Sequence, residues 1–521
     1  MKKKVSYVDI GVINEKEINY IPVRYFIATA ITLTEILVII GIVIFLCFKI
    51  PYFYIAAWLT QIFCVVRIAS SDDNPDYKVP WLLIVLTVPI GGFMLYFLFY
   101  SRKLKRKYVK RLGDLKNGAY KKDDTAELEL LTNEDIAAAS QAKMICNIAE
   151  THLFKNTLQV YFPLGEDMHR SMLVDLQEAE KFIFLEYFII EEGIFWDSIL
   201  DILKEKARKG VEIKIVYDDI GCMKTLPGDY SKQLRAYGID ATPFSRLRGN
   251  ADNEFNNRNH RKILVIDGKI GYTGGINIAD EYINERERFG HWKDTGIRLE
   301  GDAVLELTKL FLIDYGMNVK HIPMSRNNWF PASGSVNDDG FLIPFGDGPR
   351  PIYNRRIGKT VIQNMLANAT DYVYMTTPYL IIDNGLCTSI ENAALRGVKI
   401  KIVVPHIPDK KIIFAMTRSF YPRLMKAGVE IYEYEPGFIH AKSYIADGKY
   451  AVIGTINLDY RSLVHHFENA VWMYRCSSIN DMKEDFEDTL SKCIKVRPNM
   501  LKLTLSKRFL YSVVRIFSPL L

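Results

Sequence analysis

The chain has 521 residues, of which 49% are hydrophobic and 25% are charged. This composition excludes a wholly disordered chain, because disorder requires low hydrophobicity together with high net charge. The formal net charge is +6, seven positive charges lie in one run from Arg102 to Arg111, and the near-neutral remainder argues against a nucleic-acid-binding surface.

The first hundred residues predict a membrane anchor. Tyr25 to Phe48, with one charge at Glu35, and the uncharged Pro80 to Tyr100 can each cross a hydrocarbon layer about 30 Å thick at about 1.5 Å per residue. The 16 residues from Pro51 to Val66 suit either a short span or an interfacial segment. We therefore expect a transmembrane anchor of two or three spans over residues 1–101.

The basic run from Arg102 to Arg111 follows the last predicted span directly. Positive charge beside a span marks its cytoplasmic side, so we expect a multi-pass protein of the cell membrane whose remaining chain faces the cytoplasm. The run also lies where anionic lipid headgroups would contact it. Residues 102–144 are expected to be a basic and polar connector, with a loose connection from Tyr108 to Glu134.

The rest of the chain contains an internal repeat. Residues 260–277 (HRKILVIDGKIGYTGGIN) align without a gap on residues 440–457 (HAKSYIADGKYAVIGTIN), and eight of the eighteen positions are identical. Upstream, residues 210–216 (GVEIKIV) resemble residues 397–403 (GVKIKIV). Because polar residues are repeated along with the apolar pattern, the repeat predicts two related halves with a common chemistry.

Each half alternates predicted helices and strands, which is typical of an α/β fold with helices packed on a sheet. In the first half we predict a strand from Phe182 to Ile190, a helix from Trp196 to Lys209 and a strand from Val211 to Tyr217. Asp-Gly at 267–268, and again at 447–448, predicts a tight hairpin in each half.

These patterns define the expected organisation of the soluble part. The first half covers residues 145–330, a linker rich in Asn, Ser, Gly and Asp covers 331–345, and the second half covers 346–521. Leu501 to Leu521 mixes basic and apolar residues and is expected to be an interfacial helix, although a terminal helix packed on the core suits the pattern equally well.

The repeated histidines and lysines predict the chemistry. Alternate residues of a strand point to one face, so His260 and Lys262 should aim together, as should His440 and Lys442. An imidazole serves as nucleophile, acid or base near neutral pH, and lysines supply positive charge for phosphate oxygens. We predict phosphodiester transfer through a covalent phosphohistidine, with neutral hydrogen-bond donors from Gly275, Asn277, Thr455 and Asn457.

We expect no metal and no other cofactor in this chemistry. The seven cysteines contain no CxxC pair, which excludes a disulfide framework and a cysteine zinc site by spacing. Of nine histidines, only His465 and His466 form a close pair, acidic residues do not cluster with them, and the usual metal-ligand spacing is missing.

The motif HxKxxxxD, followed by GxxxxxGGxN in one half and GxxxxxGTxN in the other, resembles the phospholipase D superfamily over residues 145–521. More narrowly, the chain resembles the bacterial cardiolipin synthases of the Gram-positive type. The stretches that carry this narrower resemblance are Asn257 to Lys262, Trp292 to Asp294, Thr377 to Tyr379 and Phe467 to Asn469.

The resemblance implies two duplicated phospholipase D-like α/β halves, each a mixed sheet flanked by helices, with one active site shared at their interface. It implies that two phosphatidylglycerol molecules give cardiolipin and glycerol. By analogy, His260 is the nucleophile and His440 is the acid and base, while Lys262 and Lys442 hold the phosphate.

Four carboxylates belong to the stretches that carry the resemblance. Asp267 and Asp447 complete the two motifs, but their positions at hairpin turns suit a positioning role better than proton transfer. Asp294 and Glu468 are candidates to orient an imidazole through its second nitrogen.

Other functions remain open from the sequence. A membrane-bound phospholipase would pass the phosphatidyl group to water, and a phosphatidylserine synthase of the same superfamily would pass it to serine. A nuclease would need a basic groove, which the near-neutral remainder argues against. An inactive lipid-binding scaffold would tolerate loss of a motif histidine or lysine, and all four are present.

Overall fold

The computed structural model describes residues 50–88, 91–100, 106–246, 257–320, 340–350, 352–501 and 504–520, with shorter stretches among residues 7–49 and 322–331. The chain divides into two compact units. The smaller unit contains residues 1–104, 246–256 and 506–521, and the larger contains residues 105–245 and 257–505.

Helices form most of the described part of the smaller unit. Helix α1 (Pro51–Ser70) begins with a proline, which suits a first helical position because no N–H is needed there. Helix α2 (Pro75–Thr87) is capped by the side chain of Asn74, which accepts from the backbone of Asp76. Helix α3 (Gly91–Leu95) continues into a π-helical turn (Tyr96–Tyr100), and strands β1 (Tyr7–Asp9) and β2 (Tyr20–Pro22) pair antiparallel.

Within the described residues, the predicted span from Pro80 to Tyr100 is divided between two helices rather than forming one continuous helix. Helix α2 ends at Thr87, because the residue before a proline disfavours helical geometry and Val88 precedes Pro89. A Cβ on Gly92 would collide with the carbonyl oxygen of Ile84, so α3 lies closely against α2.

Among the described residues, one helical segment is long and apolar enough to cross a membrane, Tyr52–Ser70 in α1. This helix includes the 16-residue segment from Pro51 to Val66, and it continues past Val66 to Ser70. Its side chains Trp58, Leu59 and Phe63 are each more than half exposed. Much of the predicted span from Tyr25 to Phe48 lies outside the described residues.

The end of the chain packs on the helices of the smaller unit. After an amphipathic helix over Leu505–Phe517, a 3₁₀ turn (Ser518–Leu520) buries Ser518 and Pro519. Leu520 packs against a cluster formed by Cys64, Ile68, Trp81, Val85 and Tyr96. Leu505 and Phe509, at the start of this amphipathic helix, are exposed.

Three helices open the larger unit, in the region where the sequence indicated a loose connection. They are α4 (Arg106–Gly118), α5 (Thr125–Glu134) and α6 (Ile136–Ala149). Arg111 donates to the carbonyl oxygens of Gly316 at 3.2 Å and Val319 at 3.0 Å, at the end of a helix over Val304–Asn318. Positive charge stabilises the carboxyl end of a helix, so at least one residue of the basic run has a structural contact.

The first half is a mixed seven-stranded sheet in the order β3-β10-β8-β7-β4-β5-β6, in which β4, β5 and β6 are parallel. Its strands are β3 (Thr157–Phe162), β4 (Phe182–Tyr187), β5 (Glu212–Asp218), β6 (Asp240–Phe244), β7 (Ile263–Ile266), β8 (Ile270–Gly274) and β10 (Gly296–Gly301). Its helices are α7 (Gly165–Gln177), α8 (Ile194–Arg208), α9 (Tyr230–Arg235) and α10 (Val304–Asn318). The predicted strands, helix and Asp-Gly hairpin of this half are confirmed within a few residues.

The second half repeats this order with one extra edge strand, as β11-β20-β18-β17-β12-β14-β15-β21. Its strands are β11 (Phe341–Asp347), β12 (Tyr372–Thr376), β14 (Lys399–Pro405), β15 (Glu430–Tyr434), β17 (Ser443–Ala446), β18 (Tyr450–Gly454), β20 (Glu468–Tyr474) and β21 (Cys493–Lys495). Its helices are α11 (Ile357–Asn368), α12 (Asn384–Leu395), α13 (Lys411–Lys426) and α14 (Ser478–Ser491). Two short strands, β13 (Leu380–Ile381) and β19 (Leu458–Asp459), pair parallel outside the sheet.

The expected linker was residues 331–345, but β11 already begins at Phe341, and residues 332–339 lie outside the described part.

Short strands outside the two large sheets join the halves. Strand β9 (His291–Lys293) of the first half pairs parallel with β16 (Gly437–Ile439) of the second half. Asn259 makes the equivalent parallel bridge to Phe467. The two pairings bring the repeated motifs of the two halves together.

Candidate active site

Each repeated histidine lies just before its chain segment enters its own sheet. His260 and Lys262 directly precede β7, and His440 and Lys442 directly precede β17, so the motif lies before the strand that the sequence placed it in. The motif lies outside the strand because the backbone of each histidine pairs with the opposite half. The N–H of His260 donates to the carbonyl oxygen of Phe467 at 2.9 Å, and that of His440 donates to the carbonyl oxygen of Lys293 at 2.7 Å.

The two imidazoles exchange carboxylate partners between the halves. His260 Nδ1 lies 2.9 Å from Glu468 Oε2, and His440 Nδ1 lies 2.6 Å from Asp294 Oδ2. All four side chains are buried. The halves therefore form one site, because each imidazole depends on the opposite half for its orientation.

Gly275 and Thr455, at equivalent positions of the repeat, lie against these carboxylates. The N–H of Gly275 donates to the carbonyl oxygen of Thr295 at 3.0 Å, and a Cβ on Gly275 would collide with the Asp294 carboxylate. The hydroxyl of Thr455 donates to Glu468, and its N–H donates to the carbonyl oxygen of Asn469 at 2.9 Å. The sequence predicted both residues as donors to substrate, but their observed contacts support the carboxylates.

The lysines lie on the same side as their histidines, as the spacing predicted. Lys262 Nζ donates to the carbonyl oxygen of His260 at 2.6 Å, and Lys442 Nζ lies 2.8 Å from His440 Nδ1. Burial lowers the pKa of Lys262 to about 7 and that of Lys442 to about 8, although nearby carboxylates oppose the shift. The charge of Lys442 also lowers the pKa of Lys262, so the two ammonium groups share one environment.

The two histidine–carboxylate pairs differ electrostatically. Burial lowers the pKa of His260 to about 3, and burial with both lysines holds the pKa of His440 well below its usual value. Burial raises the pKa of Asp294 to about 7. Burial also opposes ionisation of Glu468, but its interactions with His260 and His466 outweigh burial and lower the Glu468 pKa. At neutral pH, Glu468 is therefore ionised, whereas Asp294 ionises only as the pH approaches neutrality.

Asp267 and Asp447 lie at the hairpin turns, where each has a φ of 54°. The carboxylate of Asp267 accepts from the N–H groups of Glu180, Lys181 and Phe182 at 2.7 to 2.8 Å. Asp447 makes the equivalent bonds at the start of β12. Seven residues of extended chain, on the order of 20 Å, separate each aspartate from its histidine, so these carboxylates anchor strands and do not contact the imidazoles.

The two asparagines at the ends of the repeat have different surroundings. Asn277 Oδ1 accepts from the N–H of Ile189 at 3.1 Å, and its Nδ2 donates to the hydroxyl of Tyr282 at 2.7 Å. Asn457 is buried, and its Oδ1 has no hydrogen-bond partner among the described residues. Asn277 is therefore a structural residue here, whereas Asn457 has an oxygen that remains available.

A buried network beneath the first histidine was missed from the sequence. Arg261 donates to Asp314 at 2.7 Å, to the carbonyl oxygen of Glu468 at 3.0 Å and to the hydroxyl of Tyr353 at 2.9 Å. In the second half Ala441 occupies the position of Arg261. This difference between the two copies of the repeat could have indicated the network, because a buried charged residue between two motif residues requires buried polar partners.

His466 was set aside from the sequence, but it lies beside the site. Its ring centroid is 5.4 Å from that of His260, and its Nδ1 is 3.7 Å from Glu468 Oε1. The expectation that no acidic residue would cluster with it was wrong, since Glu468 follows it by two residues. His440 has different neighbours, with the rings of Tyr282 and Trp292 at 5.5 and 5.6 Å.

Comparison with known proteins gives the family. The family described as cardiolipin synthase, PLD-like domain, matches residues 172–289 and 362–490, one segment in each half, and the phospholipase D-nuclease N-terminal family matches residues 60–99. A cardiolipin synthase of Halalkalibacterium halodurans is 31% identical over 90% of this chain and 94% of its own length. The chain belongs to the cardiolipin synthase family of the phospholipase D superfamily.

Other similar proteins cover nearly the same length. A cardiolipin synthase of Geobacillus kaustophilus is 32% identical to this chain, and the similarity covers 88% of this chain and 92% of the Geobacillus protein. An uncharacterized protein of Streptococcus mutans is 42% identical, over 88% of this chain and 99% of its own. The crystal structure of phosphatidylserine synthase from Haemophilus influenzae aligns with a TM-score of 0.56, covering 73% of this chain and all of that one, and at 13% identity it shows the fold.

Proposed function

We propose that this member of the cardiolipin synthase family transfers a phosphatidyl group between two phosphatidylglycerol molecules, giving cardiolipin and glycerol. The observation that carries the proposal is the crossed pair of buried histidine–carboxylate contacts, His260 with Glu468 and His440 with Asp294. Relatives named cardiolipin synthase, similar over about nine-tenths of the chain, support the choice of substrate.

In the first step, His260 Nε2 attacks the phosphorus of one phosphatidylglycerol. Its Nδ1 is engaged by Glu468, which leaves Nε2 for the substrate. The bond from phosphorus to the glycerol oxygen breaks, and His440 gives the departing oxygen a proton. The products of this step are free glycerol and a phosphatidyl group bonded to His260.

In the second step, a hydroxyl of another phosphatidylglycerol attacks the phosphohistidine. His440, neutral after the first step, takes the hydroxyl proton, and the phosphorus–nitrogen bond breaks. Cardiolipin leaves, His260 is neutral again, and the proton is back on His440. The cycle is balanced and needs no oxidant, reductant or metal.

The assignment of the two histidines rests on where the proton is held. Glu468 is ionised, and His260 beside it is neutral, as a nucleophile must be. Asp294, whose pKa of about 7 lets it ionise near neutral pH, lies beside His440 and would stabilise the protonated imidazole that gives the leaving group its proton. A bound phosphodiester adds negative charge and favours protonation of the imidazole.

Lys262 and Lys442 would hold the phosphate oxygens in both steps. Their ammonium groups are buried in the same environment, where a charge interacts more strongly than in water. An anionic phosphodiester between them would restore their pKa values toward the usual range, because an opposite charge favours the charged form. Binding of the donor lipid and protonation of the lysines are therefore coupled.

We also propose a cell-membrane location, with more than one span and with the catalytic halves in the cytoplasm. Support comes from the apolar helix Tyr52–Ser70, from the apolar segment Tyr25 to Phe48 before it, and from the basic run after residue 100. Anionic headgroups would contact the exposed members of that run. The amphipathic helix Leu505–Phe517, with Leu505 and Phe509 exposed, would lie at the interface.

The decisive experiment supplies purified phosphatidylglycerol in mixed micelles, without added alcohol or serine, and identifies the products. The proposal expects cardiolipin and glycerol in equal amounts. Phosphatidic acid with glycerol would identify a hydrolase. Turnover only after addition of serine would identify a phosphatidylserine synthase, and either result would overturn the proposed transfer.

A further inference from the structure

His260, His466 and Glu468 form a compact group of potential metal ligands. One ligand atom from each of the three buried residues lies within 4.8 Å of the other two. His466 follows a π-helical turn (Arg461–His465), which directs its ring toward the start of β20. The group thus joins a histidine of the first half to a histidine and a carboxylate of the second half.

Two atoms of this group lack hydrogen-bond partners among the described residues. His466 Nδ1 and Glu468 Oε1 are buried without a hydrogen bond and lie 3.7 Å from each other, and their residues are 9% and 0% exposed. Buried polar atoms without partners are uncommon in folded proteins because desolvation is not compensated. The oxygen of an ionised carboxylate can only accept, so a cation or a hydrogen-bond donor would satisfy it.

We propose that His260, His466 and Glu468 bind a divalent transition-metal ion of the zinc class. Zinc–nitrogen and zinc–oxygen bonds of about 2.0–2.2 Å place neighbouring ligand atoms of a tetrahedral ion about 3.4 Å apart. The observed separations are 2.9 Å from His260 Nδ1 to Glu468 Oε2 and 3.7 Å from His466 Nδ1 to Glu468 Oε1. They lie on either side of that value, and the two imidazoles face different oxygens of the one carboxylate. Two imidazoles and one carboxylate suit zinc rather than magnesium or calcium, which prefer oxygen ligands.

The ion would inhibit the transfer reaction rather than assist it. Coordination of His260 Nδ1 replaces its hydrogen bond to Glu468 and ties the imidazole to a cation. Lys262, whose charge also acts on His260, opposes the ion, so we expect micromolar rather than nanomolar affinity. The inhibition rests on the proposed function, whereas the metal site rests only on the geometry of the three ligands.

The test titrates the metal-free full-length protein in detergent with Zn²⁺ by calorimetry, and with Co²⁺ by visible absorption. We expect one ion per chain in the wild type and an affinity at least ten times lower in His466→Asn and in His466→Gln. His406→Asn is the matched control, since His406 has a carboxylate partner, Glu433 at 2.9 Å, but lies outside the group. The zinc affinity of His406→Asn should equal that of the wild type.

Folding and activity are measured on the same samples. Zn²⁺ should raise the unfolding temperature of the wild type and of His406→Asn, but not that of a folded His466→Asn. Unchanged zinc affinity in folded His466 variants, or no stoichiometric binding by the wild type, would overturn the site.

The activity arm separates this inference from the proposed function. Each protein is compared with its own metal-free rate on phosphatidylglycerol, and the wild type should lose most of its activity at micromolar Zn²⁺ and regain it with chelator. Tight binding at this group without any effect on turnover would contradict the role proposed for His260. Full turnover without any zinc binding would contradict only the metal site.

Discussion

At the scale of single residues, His260 and His440 occupy equivalent positions of the repeat and bind carboxylates of opposite halves. We expect His260→Ala and His440→Ala each to abolish phosphatidyl transfer, because one mechanism requires both imidazoles. Acid–base assistance alone contributes about 10²–10⁴-fold. Cardiolipin formation by the purified variants is the measurement, and more than about a tenth of wild-type activity in either would contradict a shared site.

The titrating groups of the site predict a bell-shaped pH profile. As pH rises through about 7, Asp294 ionises and can stabilise a positive charge on His440. Above about 7, Lys262 loses the charge that holds phosphate, followed by Lys442 near 8. We expect kcat/KM to fall on both sides of neutral pH, and the profile of the purified protein in micelles measures it.

Lys262→Arg tests the alkaline side of that profile, because an arginine remains charged throughout this range. The variant is expected to be slower, since a guanidinium differs in shape from an ammonium. Its alkaline limb should move toward about 8, where Lys442 loses its proton. An alkaline limb identical to that of the wild type would exclude Lys262 as the titrating group.

A separate prediction concerns chelation. The proposed steps use only side chains of this chain, so transfer should continue in excess chelator. Product formation from phosphatidylglycerol is measured before and after dialysis against chelator. Complete loss, restored by a divalent ion, would show that transfer requires a metal. A modest gain in rate would agree with an inhibitory ion in the group formed by His260, His466 and Glu468.

At the scale of elements, the hairpins combine two functions. The aspartate of each turn fixes the start of a neighbouring strand through backbone N–H groups. The second hairpin strand then leads to Gly275, which lies against the Asp294 carboxylate, or to Thr455, whose hydroxyl donates to Glu468. The hairpin therefore fixes the place of a carboxylate relative to the sheet, and that carboxylate contacts the imidazole of the opposite half.

Gly275→Ala tests this arrangement. An added Cβ must displace the Asp294 carboxylate, and a displacement of about 1 Å in a catalytic group can reduce the rate about 10²-fold. We expect at least a tenfold loss of kcat with nearly unchanged thermal unfolding. Gly113→Ala in α4 is the matched control, because its Cβ would meet no atom within 4 Å. Equal activity of both variants would contradict the positioning of Asp294 by Gly275.

At the scale of the whole molecule, the open question is which side of the membrane holds the catalytic halves. Seven positive charges close to the apolar segments predict the cytoplasm. Ser491, at the exposed end of α14, can be replaced by cysteine in a background without the native thiols. The introduced thiol should resist an impermeant maleimide in intact cells and react once the cells are opened. Full labelling of intact cells would place the site outside.

The duplication could be read directly from the sequence, because eight identical residues at a constant offset do not depend on packing. The Asp-Gly hairpins and the alternation of strand and helix followed from local turn chemistry and periodicity. The division of the segment from Pro80 to Tyr100 has a local cause as well, since Val88 precedes a proline and α2 ends at Thr87.

The partners of each imidazole required the tertiary structure. Glu468 lies 208 residues from His260, and Asp294 lies 146 residues from His440. The parallel pairings between halves, Asn259 with Phe467 and β9 with β16, decide these contacts. The same pairings bring His466 against His260. The repeated motifs predict which side chains take part in the proposed chemistry without any knowledge of the fold. Which carboxylate lies against which imidazole can be known only from the folded chain, because it depends on how two distant halves pack.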